Sequence, residues 1–184
     1  MALMYSGEIL KELEKAVSGI DRADTEVMEE ALLRARRVFC DGLGRSGLCC
    51  KGFAMRLMHL GMTSYFVGET VTPSIREGDL LLLCTGSGES AALISHAQKA
   101  QKLGAKLAVV TGAAESTLGK MSDVCIVIAS PQKDGTGDRT ETVLPMGSLF
   151  EGAASLVFEN LVLDLMKRRG ETSETMFQRH ANLE

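Results

Sequence analysis

The sequence has no CxxC pair, no concentrated run of basic residues and no apolar stretch long enough to cross a bilayer. Its five cysteines (Cys40, Cys49, Cys50, Cys84 and Cys125) are odd in number and sit mostly in apolar runs, which argues against a disulfide framework or a zinc site. Reduced core thiols and no bound metal are expected. The formal charge is −4, with lysine and arginine interleaved among acids, so a nucleic-acid surface is not expected and an anionic ligand must be held by local geometry. No charged n-region precedes a signal-length apolar stretch, and Glu159, Asn160 and Asp164 interrupt the longest helical apolar segment. A cytoplasmic location without a membrane partner follows as an expectation. Internal repeats and low-complexity linkers are also missing, so the 184 residues, 45% hydrophobic, are expected to form one domain (1–184) around one core.

What is present is periodic. Two helical patterns open the chain, in a region of about 6–36: one from Glu8 to Ser18 with Ile9, Leu10, Leu13 and Val17 on one side, the other from Asp24 through Arg36 with Asp24 and Thr25 as caps. Short apolar runs followed by glycine or hydroxyl residues then recur at Val38–Cys40, Ser64–Val67, Leu80–Cys84, Leu107–Val110 and Cys125–Ile128. They read as strands. Helical stretches at Leu48–Leu60, Ala91–Leu103 and Glu115–Met121 alternate with them, which predicts an α/β fold: a three-layer αβα sandwich with a five-stranded parallel sheet, flavodoxin- or Rossmann-like. An irregular polar stretch, Ser130 to Glu141, leads into a long helical pattern from Met146 to Lys167, ended by Gly170, within a helical tail of about 146–184. That helix carries Leu149, Phe150, Ala153, Leu156, Val157, Leu161, Val162, Leu165 and Met166, more apolar circumference than one sheet face covers. A second burial surface, and so a homo-oligomer, is expected. Met55, Met58 and Met166 read as core filling.

Two loops carry chemistry. Asp41-Gly42-Leu43-Gly44-Arg45-Ser46-Gly47 satisfies GxGxxG between a strand and a helix, and Glu69 follows the second strand where a ribose-binding acid would stand. The context weakens a dinucleotide reading: two helices precede the strand and no separate substrate domain follows. After the third strand, Thr85-Gly86-Ser87-Gly88-Glu89-Ser90 places three hydroxyls at a helix start, where free N–H groups and uncharged donors suit a phosphate. Ordinary capping by Ser87 and Ser90, with Glu89 favourable in the first turn, is the bland alternative. In an open parallel sheet, loops flanking the switch point converge, so Ser46 and Thr85–Ser90 are placed to grip one ligand.

These residues resemble the sugar isomerase (SIS) domain, whose signature is a strand followed by Ser/Thr-Gly-Ser-Gly-Glu-Thr/Ser. Thr85 to Ser90 matches it, with threonine where many members have serine. Gly44-Arg45-Ser46-Gly47, Ala54-Met55-Arg56-Leu57-Met58-His59-Leu60-Gly61, Pro145-Met146-Gly147-Ser148-Leu149-Phe150-Glu151 and Met176 to Glu184 narrow the likeness to the 6-phospho-3-hexuloisomerases, over almost the whole chain. The resemblance implies an SIS fold and conversion of D-arabino-3-hexulose 6-phosphate to D-fructose 6-phosphate without cofactor or metal. It implies a place in the ribulose monophosphate pathway beside 3-hexulose-6-phosphate synthase, and a homotetramer. Near alternatives are isomerases of arabinose 5-phosphate or sedoheptulose 7-phosphate and a non-catalytic phosphosugar-binding module.

Carried over residue by residue, the resemblance makes Gly44, Arg45, Ser46, Thr85, Gly86, Ser87, Gly88, Glu89 and Ser90 the substrate- and phosphate-binding set, and Glu151 and His180 the catalytic pair. Glu151 alternatively complements a helix dipole, and Glu159, two turns on, is its rival as base. His180 lies in a polar tail segment. In the isomerase domain of glucosamine-6-phosphate synthase, similar only at the superfamily level, such a histidine comes from a neighbouring subunit; otherwise it is a solvated terminal residue. His59, at a helix end where the dipole favours a cation, is expected to be structural, and His96 an exposed helix residue. Arg45 is expected to contact the phosphate or a sugar hydroxyl, or simply to be solvated.

Overall fold

The computed structural model describes residues 3–131 and 142–183. Its elements, in chain order, are α1 (Ser6–Ser18), α2 (Arg22–Arg34), β1 (Val38–Gly42), α3 (Gly44–His59), β2 (Ser64–Phe66), β3 (Leu80–Thr85), α4 (Ala91–Lys102), β4 (Lys106–Thr111), α5 (Thr117–Met121), β5 (Val124–Val127), α6 (Ser148–Arg169) and α7 (Ser173–Phe177). All five strands are parallel, in the order β2-β1-β3-β4-β5. The expected αβα sandwich is therefore present. β1 and β3 are buried along their whole length because helices cover both faces, which is why their residues do not alternate between apolar and polar.

On one face α2, α3 and α6 pack over Cys40, Leu82, Val110 and Ile126, and Phe53 of α3 stacks on Phe158 of α6 at 4.5 Å. On the other face α4 and α5 cover Phe39, Leu83, Leu107 and Val109. The chain leaves β1 for β2 and, after returning, leaves β3 for β4, so the direction of winding reverses between β1 and β3. A crevice at their carboxyl ends is the consequence. At the opposite, amino end of the strands, the buried Asp79 carboxylate receives Arg37, Arg36 and the Arg76 N–H. Burial works against its ionised form, yet these bonds prevail and hold Asp79 below the ordinary aspartate range.

Several expectations are corrected. Helix α2 starts at Arg22 and is capped by Asp21, whose side chain accepts from Ala23 N–H, not by Asp24 or Thr25. Helix α3 starts at Gly44, four residues before the apolar pattern, because the glycine loop itself forms the first turn. Met55 and Met58 do not fill the core; both are exposed on α3. Helix α6 starts at Ser148, since Met146 and Gly147 take positive φ angles of 55° and 82°. Its extra apolar circumference is largely covered within the chain by α1, α2 and α3, with Leu156 and Leu163 left exposed. The approach of α1 is close: a Cβ at Gly152 would stand 2.9 Å from Leu13 Cδ2. Nearly all of the irregular stretch read at Ser130 to Glu141 lies outside the described residues. All five cysteines are free thiols, three of them buried.

Candidate active site

A cavity of about 900 Å³ opens where the carboxyl ends of β1, β3, β4 and β5 meet the start of α6. Leu43 and Ser46 line it after β1, Thr85, Gly86, Ser87, Glu89 and Ser90 after β3, and Gly147 and Phe150 at α6. The two loops singled out in the sequence thus face one space. Ser46 and Thr85 are buried hydroxyl residues at its wall.

The β3–α4 loop is shaped from within and braced from outside. Thr85 Oγ1 accepts from Gly88 N–H at 3.2 Å, and Ser87 Oγ accepts from Glu89 N–H at 3.3 Å. Gly88 has φ 66°, and a Cβ there would fall 2.0 Å from Ser116 Oγ, so the position requires glycine for both conformation and space. The Gly88 carbonyl accepts from Leu118 N–H. The Glu89 carboxylate accepts from Thr117 N–H at 2.7 Å and Thr117 Oγ1 at 2.8 Å, bonds that lower its pKa. Glu89 therefore serves the loop through α5. The bland capping alternative fails at Ser90, which is the N-cap of α4 without a side-chain cap bond. The helix's first N–H groups and the surrounding hydroxyls form a site with the chemistry to hold an oxyanion.

Glu151 lies in the first turn of α6, buried, beside Phe150 of the cavity wall. Arg45, next to Ser46, reaches it: Nε stands 2.8 Å from Glu151 Oε2, Nη1 donates to Ser148 Oγ at 2.8 Å and Nη2 to the Met146 carbonyl at 2.5 Å. The Cys49 thiol contacts the Glu151 carbonyl at 3.5 Å. Cys84, which lines the cavity, has its thiol pushed well up, first by burial and then by Cys49, Glu151 and Cys40; it is a neutral wall residue, not a nucleophile. The rival Glu159 is half-exposed and paired with Arg56, about 12 Å further along α6.

The histidines separate. His180 stacks on His59 at 5.3 Å between ring centres and near Phe177 at 6.0 Å, at the end of α3 remote from Ser46 by about 20 Å of helix. One chain does not bring His180 to its own cavity. His59, expected to be structural, is buried at the end of α3, and burial, then His180 and Arg56, lower its pKa. His96 is not merely exposed, for its Nδ1 meets the buried Asp41 carboxylate at 2.7 Å, tying α4 to β1. Glu69, the ribose-acid position of the dinucleotide reading, pairs with Lys51.

Sequence reasoning missed the far wall. Gly112, Ala113, Ala114, Glu115 and Ser116 follow β4, and Ser130 and Pro131 follow β5. The available signal was position alone, since loops at the carboxyl ends of parallel strands are where such folds bind ligands. Among the described residues no group of histidine, cysteine or acid side chains could hold a metal ion, and no helix is long and apolar enough to cross a membrane.

The SIS domain family matches residues 31–155, from within α2 to just past Glu151, a span that encloses the cavity walls. A 3-hexulose-6-phosphate isomerase of Bacillus subtilis (strain 168) is 42% identical over 180 residues, 98% of this chain and 97% of its own. Another, of Mycobacterium gastri, is 36% identical over 94% of this chain and 86% of its own. Among solved structures, a hypothetical protein from Methanococcus jannaschii shares 32% identity and a TM-score of 0.82, covering 97% of this chain and 96% of its own; its crystal structure was taken to infer a molecular function of 3-hexulose-6-phosphate isomerase.

Proposed function

The chain belongs to the SIS domain family, in the branch of the 3-hexulose-6-phosphate isomerases, and from that premise we propose that it interconverts D-arabino-3-hexulose 6-phosphate and D-fructose 6-phosphate. The observation that carries this reading is the 42% identity to the Bacillus subtilis enzyme over 98% of the chain, which leaves no element of the fold outside the likeness. The cavity supports it with an uncharged oxyanion cradle on one wall and a buried carboxylate beside the other.

The phosphate sits against Thr85, Ser87, Ser90 and the first turn of α4, with Ser46 closing from β1. Glu151 removes the proton from C2 of the 3-ketose. Electrons of that bond form the C2–C3 double bond of a 2,3-enediolate as the C3 carbonyl pair moves onto O3; the O2 proton passes to O3, and return of a proton to C3 leaves the carbonyl at C2. One carbon is oxidised as its neighbour is reduced, so the reaction balances without a redox partner. A base of this kind contributes about 10²–10⁴ in rate. In the family's chemistry this substrate is the product of an aldol addition, which fits the synthase of the ribulose monophosphate route as the preceding enzyme, acting with this one in the cytoplasm where sugar phosphates are retained.

His180 serves ring opening in the site of a neighbouring subunit, and the protein is a homotetramer. Exposed Leu48 and Met55 on α3, with Leu156 and Leu163 on α6, supply apolar surface for that assembly. Light scattering at micromolar concentration tests it, and a monomer would count against it.

Fructose 6-phosphate incubated with the protein in deuterated water tests the reaction itself. Deuterium at C3, together with formation of the 3-hexulose and no added cofactor, is expected. Label at C1 instead would mark an aldose–ketose isomerase, and tight binding without label would mark a sensor.

A further inference from the structure

Arg45 stands among the residues that the sequence aligned with phosphate, yet its guanidinium points elsewhere. It leaves the first turn of α3 and spends all three nitrogens on the first turn of α6 and the residue before its N-cap: Glu151 Oε2 at 2.8 Å, Ser148 Oγ at 2.8 Å and the Met146 carbonyl at 2.5 Å. Two further observations make this more than a surface ion pair. Met146, with φ 55°, is the one residue other than glycine with positive φ among the described residues, and it is the residue whose carbonyl Arg45 holds. The α6 N-cap, Gly147, offers no side-chain cap, so the start of that helix is fixed by contacts from outside it. Moreover, a cation in the first turn of α3 and over the amino end of α6 opposes both helix dipoles. A role confined to helix stability is poorly served by such a placement, whereas orientation of a buried carboxylate is well served.

We infer that Arg45 is a positioning residue for Glu151 and not a ligand of the phosphate. Its Nε sets a positive charge against the carboxylate while its two Nη groups lock the Met146–Ser148 turn that carries it. The inference rests on Glu151 being the base. It deepens that assignment by naming what aims it.

The test uses the full-length protein and fructose 6-phosphate turnover. Arg45→Met keeps the aliphatic stem and removes the fork; it is expected to lower kcat about tenfold to hundredfold, the scale of a displaced catalytic group. KM, and the inhibition constant of inorganic phosphate, should stay within about twofold of the parent. Arg45→Lys, the conservative variant, should recover only part of kcat because one ammonium cannot bridge three acceptors. Added guanidinium at millimolar concentration should restore part of kcat to Arg45→Ala and nothing to Arg45→Ala/Glu151→Gln. A rise of tenfold or more in KM and in the phosphate inhibition constant with kcat spared would make Arg45 a phosphate ligand and overturn the inference. So would an Arg45→Met/Glu151→Gln double variant slower than Glu151→Gln by the full single-variant factor, since the two would then act independently. If Glu151→Gln itself retains turnover, the base assignment fails, and the inference falls with it. If Glu151→Gln is inactive while Arg45→Met is unimpaired, the inference alone fails.

Discussion

Gly88→Ala measures how far the oxyanion cradle depends on its bracing by α5. The new Cβ would sit 2.0 Å from Ser116 Oγ, 2.5 Å from Ser116 Cβ and 3.3 Å from Thr111 Oγ1. No rotamer relieves this, because the obstruction is a Cβ rather than the end of a long chain. Three costs add. A left-handed alanine costs about 1 kcal/mol. Ser116 must give up its bond to the Ala113 carbonyl and its cap on Gly119 N–H, about 1–2 kcal/mol. Residual overpacking adds about 1–2 kcal/mol. The sum, roughly 3–5 kcal/mol, corresponds to a fall in Tm on the order of 10 °C for a chain of this size. Urea melts and scanning calorimetry read the stability, and inorganic phosphate titration is expected to weaken at least tenfold. Ser116→Gly in the same chain separates the costs: it should return the steric share but not the conformational one, a coupling of about 1–2 kcal/mol in a double-mutant cycle. A variant that melts within about 3 °C of the parent, or a coupling near zero, would refute the account of this loop.

Other perturbations test other parts. Glu151→Gln should cut kcat by about 10²–10⁴ while phosphosugar binding persists, as judged by turnover and by equilibrium titration; retained turnover removes Glu151 as base. Asp79→Asn leaves Arg36 and Arg37 around a buried neutral group and should cost about 3 kcal/mol in a urea melt, with a loss under 1 kcal/mol counting against the buried ion network. His59 has a folded-state pKa below its unfolded value of about 6.5, so its contribution is present above that value and is lost as pH falls through the folded pKa. Melting temperature should therefore decline from pH 7 toward pH 5, and His59→Phe should flatten that slope; an unchanged slope would place the titration elsewhere.

The sheet was legible because parallel strands covered on both faces must read as unbroken apolar runs: Leu80 to Cys84 could hardly have been anything else. Element starts were less so. Gly44 reads as a breaker, but at a helix start its φ of 58° is what lets the chain turn out of β1 into α3 at once. Periodicity places Met146 in the helix, and no local signal announces a left-handed methionine held by an arginine about one hundred positions away in sequence. The same gap explains Arg45 and His96. Sequence shows that each is near a glycine loop or a helix face, whereas their partners, Glu151 and Asp41, are brought by tertiary packing alone. Met55 and Met58 show the reverse error, since apolar residues at helical spacing mark an apolar face without saying whether this chain or another covers it.

The two walls of the cavity are built by different means, and this bears on how they would fail. The β3–α4 wall is mostly backbone, shaped by a left-handed glycine and braced by Thr117, Leu118 and Ser116 of the α5 segment, so its geometry is hard to adjust by single side-chain changes other than clashes. On the α6 side Gly147 and Phe150 line the cavity, and behind them stand a buried carboxylate, the arginine that reaches it and a left-handed turn. Binding therefore leans mainly on the β3–α4 loop and proton transfer on the start of α6, with Ser46 and Arg45, neighbours in the first turn of α3, serving one each. Substitutions in the first wall should move KM and phosphate affinity together, and substitutions in the second should move kcat with little change in either. Gly88→Ala and Arg45→Met sample one wall each. Were both to shift KM and kcat by the same factor, the cavity would be behaving as one cooperative unit, and the division of labour drawn from its two walls would be wrong.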